Sequence, residues 1–537
     1  MPEDASTTPP LSGKATAEGT RRYFEEARHR GVGIVDDAIR TLGRTDLSVG
    51  KLGYGTYRAH SDVEEHVRTL LHALLHGANL IDTSTNYTDG SSERLVGNVL
   101  RALIESGGVT RDGVVVVSKV GYVQGVNYAT ATDAEESGAP YAEMVKYRDG
   151  LWHCIHPDWV REQLELSLRR AQVETIDAYL LHNPEYFLID AHGDENADAD
   201  DTHALDATRD EFYRRVAAAF EELERAAQAG TISVYGVSSN TFPAPADNAG
   251  HVSLPRVLRC AEAAAEAVHG DASAHRFAVA QLPVNLYEAG AFTEDHGGPR
   301  ESFLDVARAN DIAVLANRPL NAVVGARLVR LAQYSHDEDA GDPLEAFAAV
   351  AAAERDVVLA LRAWDVWGPL RDSVSGASVV FNVGESLKGA FPEIAGRDQW
   401  LQVFEQVVAP SVVACTRAAG KLVPGSHLQE WEGLLDVYQR RLHALASTVT
   451  SHFNARETDA KAPLWRELVH EIGGQSGEMT LSQIALNSIA SLPGVTTALC
   501  GMKRDPYVAE GVQLLNAPAF DDPYAAFRAA TRVSPDG

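Results

Sequence analysis

Short apolar strands alternate with amphipathic helices from Leu52 to about residue 320, and this alternation restricts the possible folds strongly. Continuous apolar runs such as residues 114–119 predict strands that are buried on both faces. Apolar residues at helical spacing, as in 62–76, predict the helices between them. A regular alternation of this kind indicates parallel βα units. The sequence therefore predicts an α/β protein with a (β/α)8 barrel, the TIM-barrel fold.

Seven strands are predicted before residue 320, and an eighth follows after a long interruption. The predicted strands are 52–56, 79–82, 114–119, 176–182, 232–238, 277–281, 312–316 and 496–500. The interruption, residues 326–475, is rich in Ala, Glu and Leu at helical spacing and has no clear strands. We therefore expect a large helical insertion in the loop that follows strand seven.

The domain organisation follows from these boundaries. The expected parts are an N-terminal extension (1–45), barrel strands one to seven (46–325) with a small insertion at about 121–150 after strand three, the helical insertion (326–475), and strand eight with the last helices and a C-terminal tail (476–537). Two β-like pieces, 39–43 and 47–50, predict a lid hairpin. The acidic stretch 194–205 resembles a calcium loop loosely, but it lacks the turn glycine and the final glutamate of that motif.

The charge and cysteine content exclude several classes of protein. The formal net charge of −28 would repel phosphate backbones, which argues against a nucleic-acid partner. The four cysteines lie far apart, so neither a disulfide framework nor a zinc site is predicted, and we expect no metal. No stretch approaches the roughly 20 apolar residues that span a bilayer, and no apolar signal core is present. We expect a cytoplasmic protein without membrane contact.

Polar side chains stand where six consecutive predicted strands end. These residues are Asp82, Lys119, His182, Ser239 with Asn240, Gln281 and Arg318. In a (β/α)8 barrel the carboxyl ends of the strands carry the catalytic residues. A buried lysine needs a partner of opposite charge, and Asp82 is the obvious partner for Lys119.

Tyr87 follows Asp82 by five residues and suggests a carbonyl reduction. Such a reduction needs a hydride and a proton, and a tyrosine is a candidate proton donor although its usual pKa is about 10. A neighbouring Lys119 would stabilise the phenolate and lower the pKa of Tyr87. Asp82 would hold Lys119 in place, and His182 would donate a hydrogen bond to the carbonyl oxygen.

Several segments together resemble the signature of the aldo-keto reductases. They are 53–57, 82–87 (Asp82-Thr-Ser-Thr-Asn-Tyr87), 91–97, Lys119, 180–184, 230–240, 279–281, 318–320 and 493–501. Each segment alone is a weak signal, but all of them occur in order and at strand ends. The resemblance covers about 45–325 and 478–516. It implies an oxidoreductase that interconverts a carbonyl compound (aldehyde, ketone or sugar) and its alcohol.

The resemblance also implies roles for individual residues. The implied catalytic tetrad is Asp82, Tyr87, Lys119 and His182. The implied cofactor contacts are Gly55, Thr56, Ser239, Asn240, Gln281, Arg318, Pro319, Leu320, Gly501, Lys503 and Arg504, with Tyr57 in the substrate pocket. An extra serine before Asn240 leaves open whether Ser238 or Ser239 binds the nicotinamide carboxamide. The two cations at 503 and 504 favour NADP(H) over NAD(H).

The insertions are unusual for this family and leave a second hypothesis open. A chain of the same fold could bind the cofactor as a regulatory or scaffold subunit and turn over little. The intact tetrad favours an enzyme that acts on a small carbonyl or alcohol. An insertion of about 150 residues keeps the alternative open, since a covered site would admit only a segment of a partner protein.

Overall fold

A computed structural model describes residues 9–192, 202–298, 301–325, 327–373 and 381–533. The stretch that resembles a calcium loop falls largely outside the described residues, as do both ends of the chain. The described residues form two compact units, one of residues 9–331 and 467–533 and the other of 332–466.

Eight parallel strands close a barrel in the first unit, which confirms the predicted fold class. The strands are β1 (Leu52–Gly55), β2 (Leu80–Asp82), β3 (Val115–Val120), β4 (Ile176–His182), β5 (Ile232–Ser238), β6 (Phe277–Pro283), β7 (Ala313–Asn317) and β8 (Val495–Cys500). Each strand pairs with the next one in the chain, and β8 pairs with β1 to close the ring. All eight carboxyl ends therefore open on one mouth of the barrel.

Helices follow the strands as the alternation predicts. The helices of the first unit from β1 onward, apart from those of the inserted segments, are Glu64–Leu75, Ser91–Glu105, Pro157–Ala171, Tyr186–His192, Thr202–Ala229, Leu254–His269, Phe303–Ala309, Leu481–Ser491, Asp505–Gly511 and Ala525–Ala530. Local signals explain where some of them begin. Ser302 and Thr480 each start a helix with a reciprocal capping box, and Pro157 occupies a first-turn position.

The N-terminal extension contacts the end of the barrel opposite the strand carboxyl ends. It forms a helix (Ala17–His29) and a hairpin (Ile39–Thr41 with Ser48–Gly50). Leu42 and Val49 are fully buried in one apolar cluster with residues at the start of the barrel strands. The predicted hairpin exists, and it covers the end of the barrel opposite the strand carboxyl ends, because its apolar side chains are buried there.

Inserted segments add small sheets around the barrel. After β3, strands Tyr122–Val123, Val145–Arg148 and Leu151–His153 form an antiparallel sheet with Leu151–His153 in the centre, beside helix Gly125–Glu136. The pairs Asn321–Val324 with Arg327–Arg330 and Asp295–Gly298 with Glu301–Ser302 form ribbons. The expectation of no strand between 325 and 475 is wrong at Arg327–Arg330, because a strand of this length has too little periodicity to be recognised.

The second unit is helical. Its helices are Pro343–Ala363, Trp367–Ser373, Val383–Ala390, Arg397–Val403, Ala409–Leu422 and most of Leu428–Ile472. They enclose a separate apolar core with Phe347, Trp400 and Leu445 fully buried. None of the helices in the described ranges of the chain combines the length and the apolar character that crossing a bilayer requires.

Candidate active site

The ends of β2 and β3 bring a carboxylate and an ammonium group together. The Nζ of Lys119 lies 2.8 Å from Asp82 Oδ2, and it also donates to the Thr83 carbonyl oxygen at 2.8 Å. The same Nζ lies 3.2 Å from the Tyr87 hydroxyl oxygen. Lys119 is fully buried, so its charge depends on these partners. Three of the four predicted catalytic residues thus meet through one ammonium group.

A tight turn follows Tyr87. The next three residues, Thr88, Asp89 and Gly90, all have positive φ angles of 47°, 52° and 77°. Such conformations are costly for residues other than glycine and persist only where neighbouring contacts hold them. The Thr88 hydroxyl provides one such contact, a 2.8 Å hydrogen bond to the Ala59 carbonyl oxygen.

Burial and nearby negative charge raise the pKa of Tyr87 well above its usual value. The causes are desolvation first and then the Asp82 carboxylate and the Tyr57 hydroxyl. The expected lowering of this pKa by Lys119 is therefore wrong. Asp82 offsets the charge of the ammonium, and burial disfavours the phenolate. Tyr87 consequently holds its proton at neutral pH.

His182, at the end of β4, lies beside Tyr87 with 5.9 Å between the ring centroids. Burial, Lys119 and His153 lower the pKa of His182 well below its usual value, so the imidazole is neutral. Its Nδ1 lies 3.1 Å from the Ser84 hydroxyl. The His182 carbonyl oxygen lies 2.7 Å from His153 Nε2, in the small sheet after β3. The fourth predicted catalytic residue therefore shares the same pocket.

A second set of amide and hydroxyl groups joins this cluster from β5, β6 and β7. Gln281 Nε2 donates to Asp82 Oδ1 at 2.7 Å, and Ser238 Oγ donates to Gln281 Oε1 at 3.0 Å. The Asn317 amide nitrogen also donates to Gln281 Oε1, at 3.4 Å. Asn317 Oδ1 is buried and has no hydrogen-bond partner among the described residues. A free acceptor of this kind fits the amide NH₂ of a nicotinamide ring.

The Ser238 hydroxyl, and not the Ser239 hydroxyl or the Asn240 side chain, forms a hydrogen bond with the Gln281 side chain, whereas Ser239 contacts Gln281 only through its backbone N–H. The Ser239 hydroxyl lies 3.2 Å from the Thr241 hydroxyl, and Asn240 is exposed with its backbone N–H donating to Glu185 at 2.8 Å. Successive residues at the end of a strand point in different directions, so one extra serine changes which hydroxyl faces the centre. Sequence reasoning did not find Asn317, because nothing in its local sequence marks it.

The remaining predicted residues surround this cluster. Thr56 donates to the Asp82 carbonyl oxygen through its backbone N–H at 2.9 Å and its hydroxyl at 3.0 Å, and Gly55 pairs with Asp82. Tyr57 is 59% exposed, yet its ring centroid lies 5.3 Å from that of Tyr87, so it forms the rim of the pocket.

The residues that the sequence predicts to contact the phosphates of the cofactor follow the carboxyl ends of β7 and β8. Arg318 pairs with Glu288 at 2.9 Å, and Pro319 and Leu320 follow it. Lys503 and Arg504 follow Gly501 and lie near His66. The pKa of His66 is lowered mainly by desolvation, and the charges of Lys503 and Arg504 lower it further. Among the described residues, no group of three or more His, Cys, Asp or Glu side chains could hold a metal ion.

Comparisons with known proteins identify the family. The family model of the aldo/keto reductases matches residues 47–328, more than half of the 537-residue chain. The chain is 30% identical over 149 residues to the NADH-specific methylglyoxal reductase of Escherichia coli (strain K12), covering 26% of this chain and 40% of that protein. It is 31% identical over 111 residues to aldo-keto reductase family 1 member C21 of Rattus norvegicus, covering 19% and 30%.

The chain thus matches well under two thirds of the length of these two curated relatives. A solved structure of an aldo/keto reductase from Klebsiella pneumoniae in complex with NADP and acetate aligns with 15% identity and a TM-score of 0.39, over 91% of this chain and 93% of that one. The family match, which spans the barrel from β1 to β7, is the decisive finding. The chain belongs to the aldo/keto reductase family, a family of oxidoreductase enzymes.

Proposed function

We propose that this protein is an NAD(P)H-dependent oxidoreductase that interconverts a small carbonyl compound and its alcohol, with Tyr87 as the general acid. One observation carries the proposal. The Tyr87 hydroxyl lies 3.2 Å from a fully buried Lys119 ammonium, which is itself paired with Asp82 at 2.8 Å. Few structural roles require three such groups in one pocket, whereas proton transfer to a carbonyl oxygen does.

The reaction needs a proton as well as the hydride that a bound reduced nicotinamide supplies. Tyr87 donates its proton to the carbonyl oxygen as negative charge develops there. Lys119 then stabilises the phenolate that remains, through the contact it already makes with the Tyr87 oxygen. Asp82 keeps Lys119 charged and oriented. His182 contributes a hydrogen bond rather than a charge, because its imidazole is neutral.

We propose that Ser238, Gln281 and Asn317 bind the nicotinamide carboxamide. The carboxamide of nicotinamide has an NH₂ group that donates and an oxygen that accepts. The Asn317 amide oxygen, which has no partner among the described residues, suits the NH₂ group, and the neighbouring side-chain amides suit the oxygen. Of the two serines between which the sequence left the choice open, we propose Ser238, because its hydroxyl contacts the Gln281 side chain; Ser239 and Asn240 were the residues named first from the sequence. Gly55, Thr56, Arg318-Pro319-Leu320 and Gly501 remain proposed contacts for the rest of the cofactor.

We further propose that NADP(H) is preferred over NAD(H). Lys503 and Arg504 place two positive charges after β8, next to His66. Cations of this kind suit recognition of a phosphate group. The named relatives differ on this point, since the Escherichia coli protein is NADH-specific and the Klebsiella pneumoniae structure contains NADP. The charges on this chain therefore support the preference.

Substitution Tyr87→Phe tests the proposed function. We expect the wild type to oxidise NADPH with at least one member of a panel of aldehydes, ketones and sugars. Loss of the Tyr87 hydroxyl removes the proton donor, so kcat should fall by about 10²–10⁴-fold. Cofactor binding, measured by nicotinamide fluorescence, should stay within about twofold, because the packing of the aromatic ring is retained.

Tyr524→Phe is the matched control, because it removes a hydroxyl from an exposed tyrosine just before the last helix, outside the predicted site. Its kcat should stay within about threefold of the wild-type value, because the substitution removes no hydrogen bond that the reaction uses. Equal rates for Tyr87→Phe and wild type would refute the role of Tyr87. Tight NADPH binding without turnover of any substrate would favour the regulatory subunit instead.

A further inference from the structure

A cleft lies within the second unit, between three of its helices. Its volume is about 620 Å³, a size that is usual for small-molecule sites. One wall is a face of helix Pro343–Ala363, the second is helix Trp367–Ser373, and the third is the start of helix Val383–Ala390. The predicted catalytic residues all belong to the first unit, so the cleft is separate from the site described above.

Three arginines line this cleft from two of its walls. Arg355 and Arg362 are seven residues apart on one helix, which is close to two turns, so they share a face at an axial separation of roughly 10 Å. Arg371 lines the cleft from the second wall, four residues after Trp367 and therefore on the same side of that short helix. Three guanidinium groups thus converge on one cavity.

The three arginines have no partner of opposite charge in the part of the chain that the structure describes. Arg355, Arg362 and Arg371 are exposed, and none of them forms an ion pair or a hydrogen bond with a described residue. The chain has 75 acidic and 47 basic residues, so carboxylates are more than plentiful enough to pair with every cation. A single exposed arginine would be merely solvated, but three around one concave surface favour a ligand with several negative charges.

A buried carboxylate fixes two walls of the cleft to each other. Glu354 is 2% exposed, and it accepts hydrogen bonds from the backbone N–H groups of Val383 at 2.7 Å and Gly384 at 2.9 Å and from the Tyr438 hydroxyl at 3.1 Å. Its oxygens are therefore already engaged. A wall that is held in place before a ligand arrives lowers the cost of ordering the site. The other carboxylate of the cleft, Glu385, is exposed.

Trp367 adds a flat aromatic surface beside these charges. The Arg362 guanidinium carbon lies 5.8 Å from the centroid of the Trp367 ring, and the indole is half-buried. Leu359, on the wall between Arg355 and Arg362, is 63% exposed at the same cleft. Aromatic rings stack on indole and guanidinium groups. The cleft therefore suits a ligand in which an aromatic ring is joined to a strongly anionic group.

We propose that this cleft binds a nucleoside diphosphate, with the base on Trp367 and the two phosphates between the three arginines. Planar guanidinium groups bind phosphate oxygens in pairs, which makes arginine well suited to a diphosphate. The Glu385 carboxylate can only accept hydrogen bonds, so it suits the ribose hydroxyls. This site lies outside the barrel, and the inference does not depend on the proposed function.

Calorimetric titration of the full-length protein with ADP tests the site. We expect the ADP affinity to fall by at least about tenfold in Arg355→Gln/Arg362→Gln, because the pair supplies charge-assisted hydrogen bonds to the phosphates. Arg456→Gln is the matched control at an exposed position, roughly 27 Å beyond Tyr438 along helix Leu428–Ile472. It should keep the ADP affinity within about twofold of the wild-type value.

Pyrophosphate separates the contribution of the base from that of the phosphates. Trp367→Leu should lower the affinity for ADP by at least about fivefold, the contribution of stacking one base, and leave the affinity for pyrophosphate within about twofold. Arg355→Gln/Arg362→Gln should weaken the binding of both ligands. An equal loss of ADP and pyrophosphate binding in Trp367→Leu would overturn the placement of the base on the indole.

Lys503→Ala/Arg504→Ala distinguishes the cleft from the proposed cofactor site of the barrel. This variant should bind ADP as the wild type does. ADP binding that is lost in this variant but kept in Arg355→Gln/Arg362→Gln would place the nucleotide in the barrel and overturn the proposal. A wild-type protein that binds no ADP would overturn it as well. None of these titrations needs turnover, so their failure and the failure of the proposed function are distinguishable.

Discussion

The charged groups of the site lie almost wholly out of contact with solvent. Lys119 is fully buried and Asp82 is 4% exposed. Burying such a pair without compensation costs several kcal/mol, and an ion pair of this kind is weak evidence for stability. The 2.8 Å distance between Lys119 and Asp82 and the contact of Lys119 with Tyr87 instead match a role in the reaction. In that role the Lys119 ammonium must be charged when the Tyr87 proton leaves. Each residue of this cluster therefore has a testable consequence for the reaction.

The pH dependence should differ between the two directions of the reaction. Reduction needs protonated Tyr87, and its pKa is raised well above the usual value by burial and Asp82. The rate of reduction should therefore stay flat between about pH 6 and pH 9 and fall only as the pH rises through that raised pKa. Oxidation needs the phenolate, so its rate should increase with pH over the same interval. Profiles of kcat in both directions check this. A reduction rate that halves near neutral pH would show that Tyr87 titrates there.

The pair Lys503→Ala/Arg504→Ala should discriminate between the cofactors. Under the proposed preference for NADP(H), removing these two cations should raise KM for NADPH by at least about tenfold, or ~1.4 kcal/mol. KM for NADH should change by less than about twofold, because NADH lacks that phosphate. Arg169→Ala removes a charge from an exposed helix position and serves as the control. Equal effects on both cofactors would assign the two cations another role.

Among the elements, the N-terminal extension is joined to the barrel in part by a buried carboxylate, Asp177, at the start of β4. Asp177 accepts hydrogen bonds from the backbone N–H groups of Ala15 at 2.7 Å and Val116 at 2.8 Å. It also pairs with Arg111 at 2.9 Å, and both side chains are buried. The extension, the segment before β3 and β4 itself thus meet at one side chain.

Asp177→Ala should lower the free energy of unfolding by about 3–5 kcal/mol, because it leaves Arg111 buried without its partner. Glu165→Ala removes a carboxylate from an exposed ion pair with Arg169 and should cost less than about 1 kcal/mol. Urea unfolding followed by circular dichroism measures both. If the two variants lose the same free energy of unfolding, burial does not determine how much these ion pairs contribute to stability.

The whole molecule comprises two compact units with separate apolar cores. In the second unit a buried carboxylate joins two helices, since Glu354 accepts hydrogen bonds from the backbone N–H groups of Val383 at 2.7 Å and Gly384 at 2.9 Å. The chain as a whole carries a formal net charge of −28. Repulsion among like charges acts over the entire molecule and opposes the compact state.

Added salt should therefore stabilise the protein. Ions screen charges beyond a distance of about 10 Å at 0.1 M ionic strength and about 3 Å at 1 M. We expect Tm to rise steadily with sodium chloride at constant pH, by several degrees between these two concentrations. Sucrose of equal osmolarity is the uncharged control. A Tm that sodium chloride leaves unchanged or lowers would mean that paired surface charges already cancel the repulsion.

Sequence alone determined the barrel and the residues at its catalytic mouth. Strand and helix periodicity are local properties, and the carboxyl ends of parallel strands must meet in a closed barrel. The periodicity therefore suffices to predict that Asp82, Lys119 and His182 lie close together. The position of Tyr87 depends on the conformation of a turn only five residues long, which periodicity does not predict. Tyr87 was therefore identified from the motif at 82–87.

The tertiary structure decided everything that depends on neighbours from distant parts of the chain. It directed the hydroxyl of Ser238, rather than that of Ser239, to the Gln281 side chain, placed the N-terminal hairpin at the far end of the barrel, and raised the pKa of Tyr87 where sequence reasoning expected a lowering. Each outcome depends on groups that the fold brings close from elsewhere in the chain, such as the Gln281 amide, the apolar residues at the start of the strands or the Asp82 carboxylate. Local periodicity carries no information about which distant residues become neighbours, whereas the packing of side chains in the tertiary structure determines it.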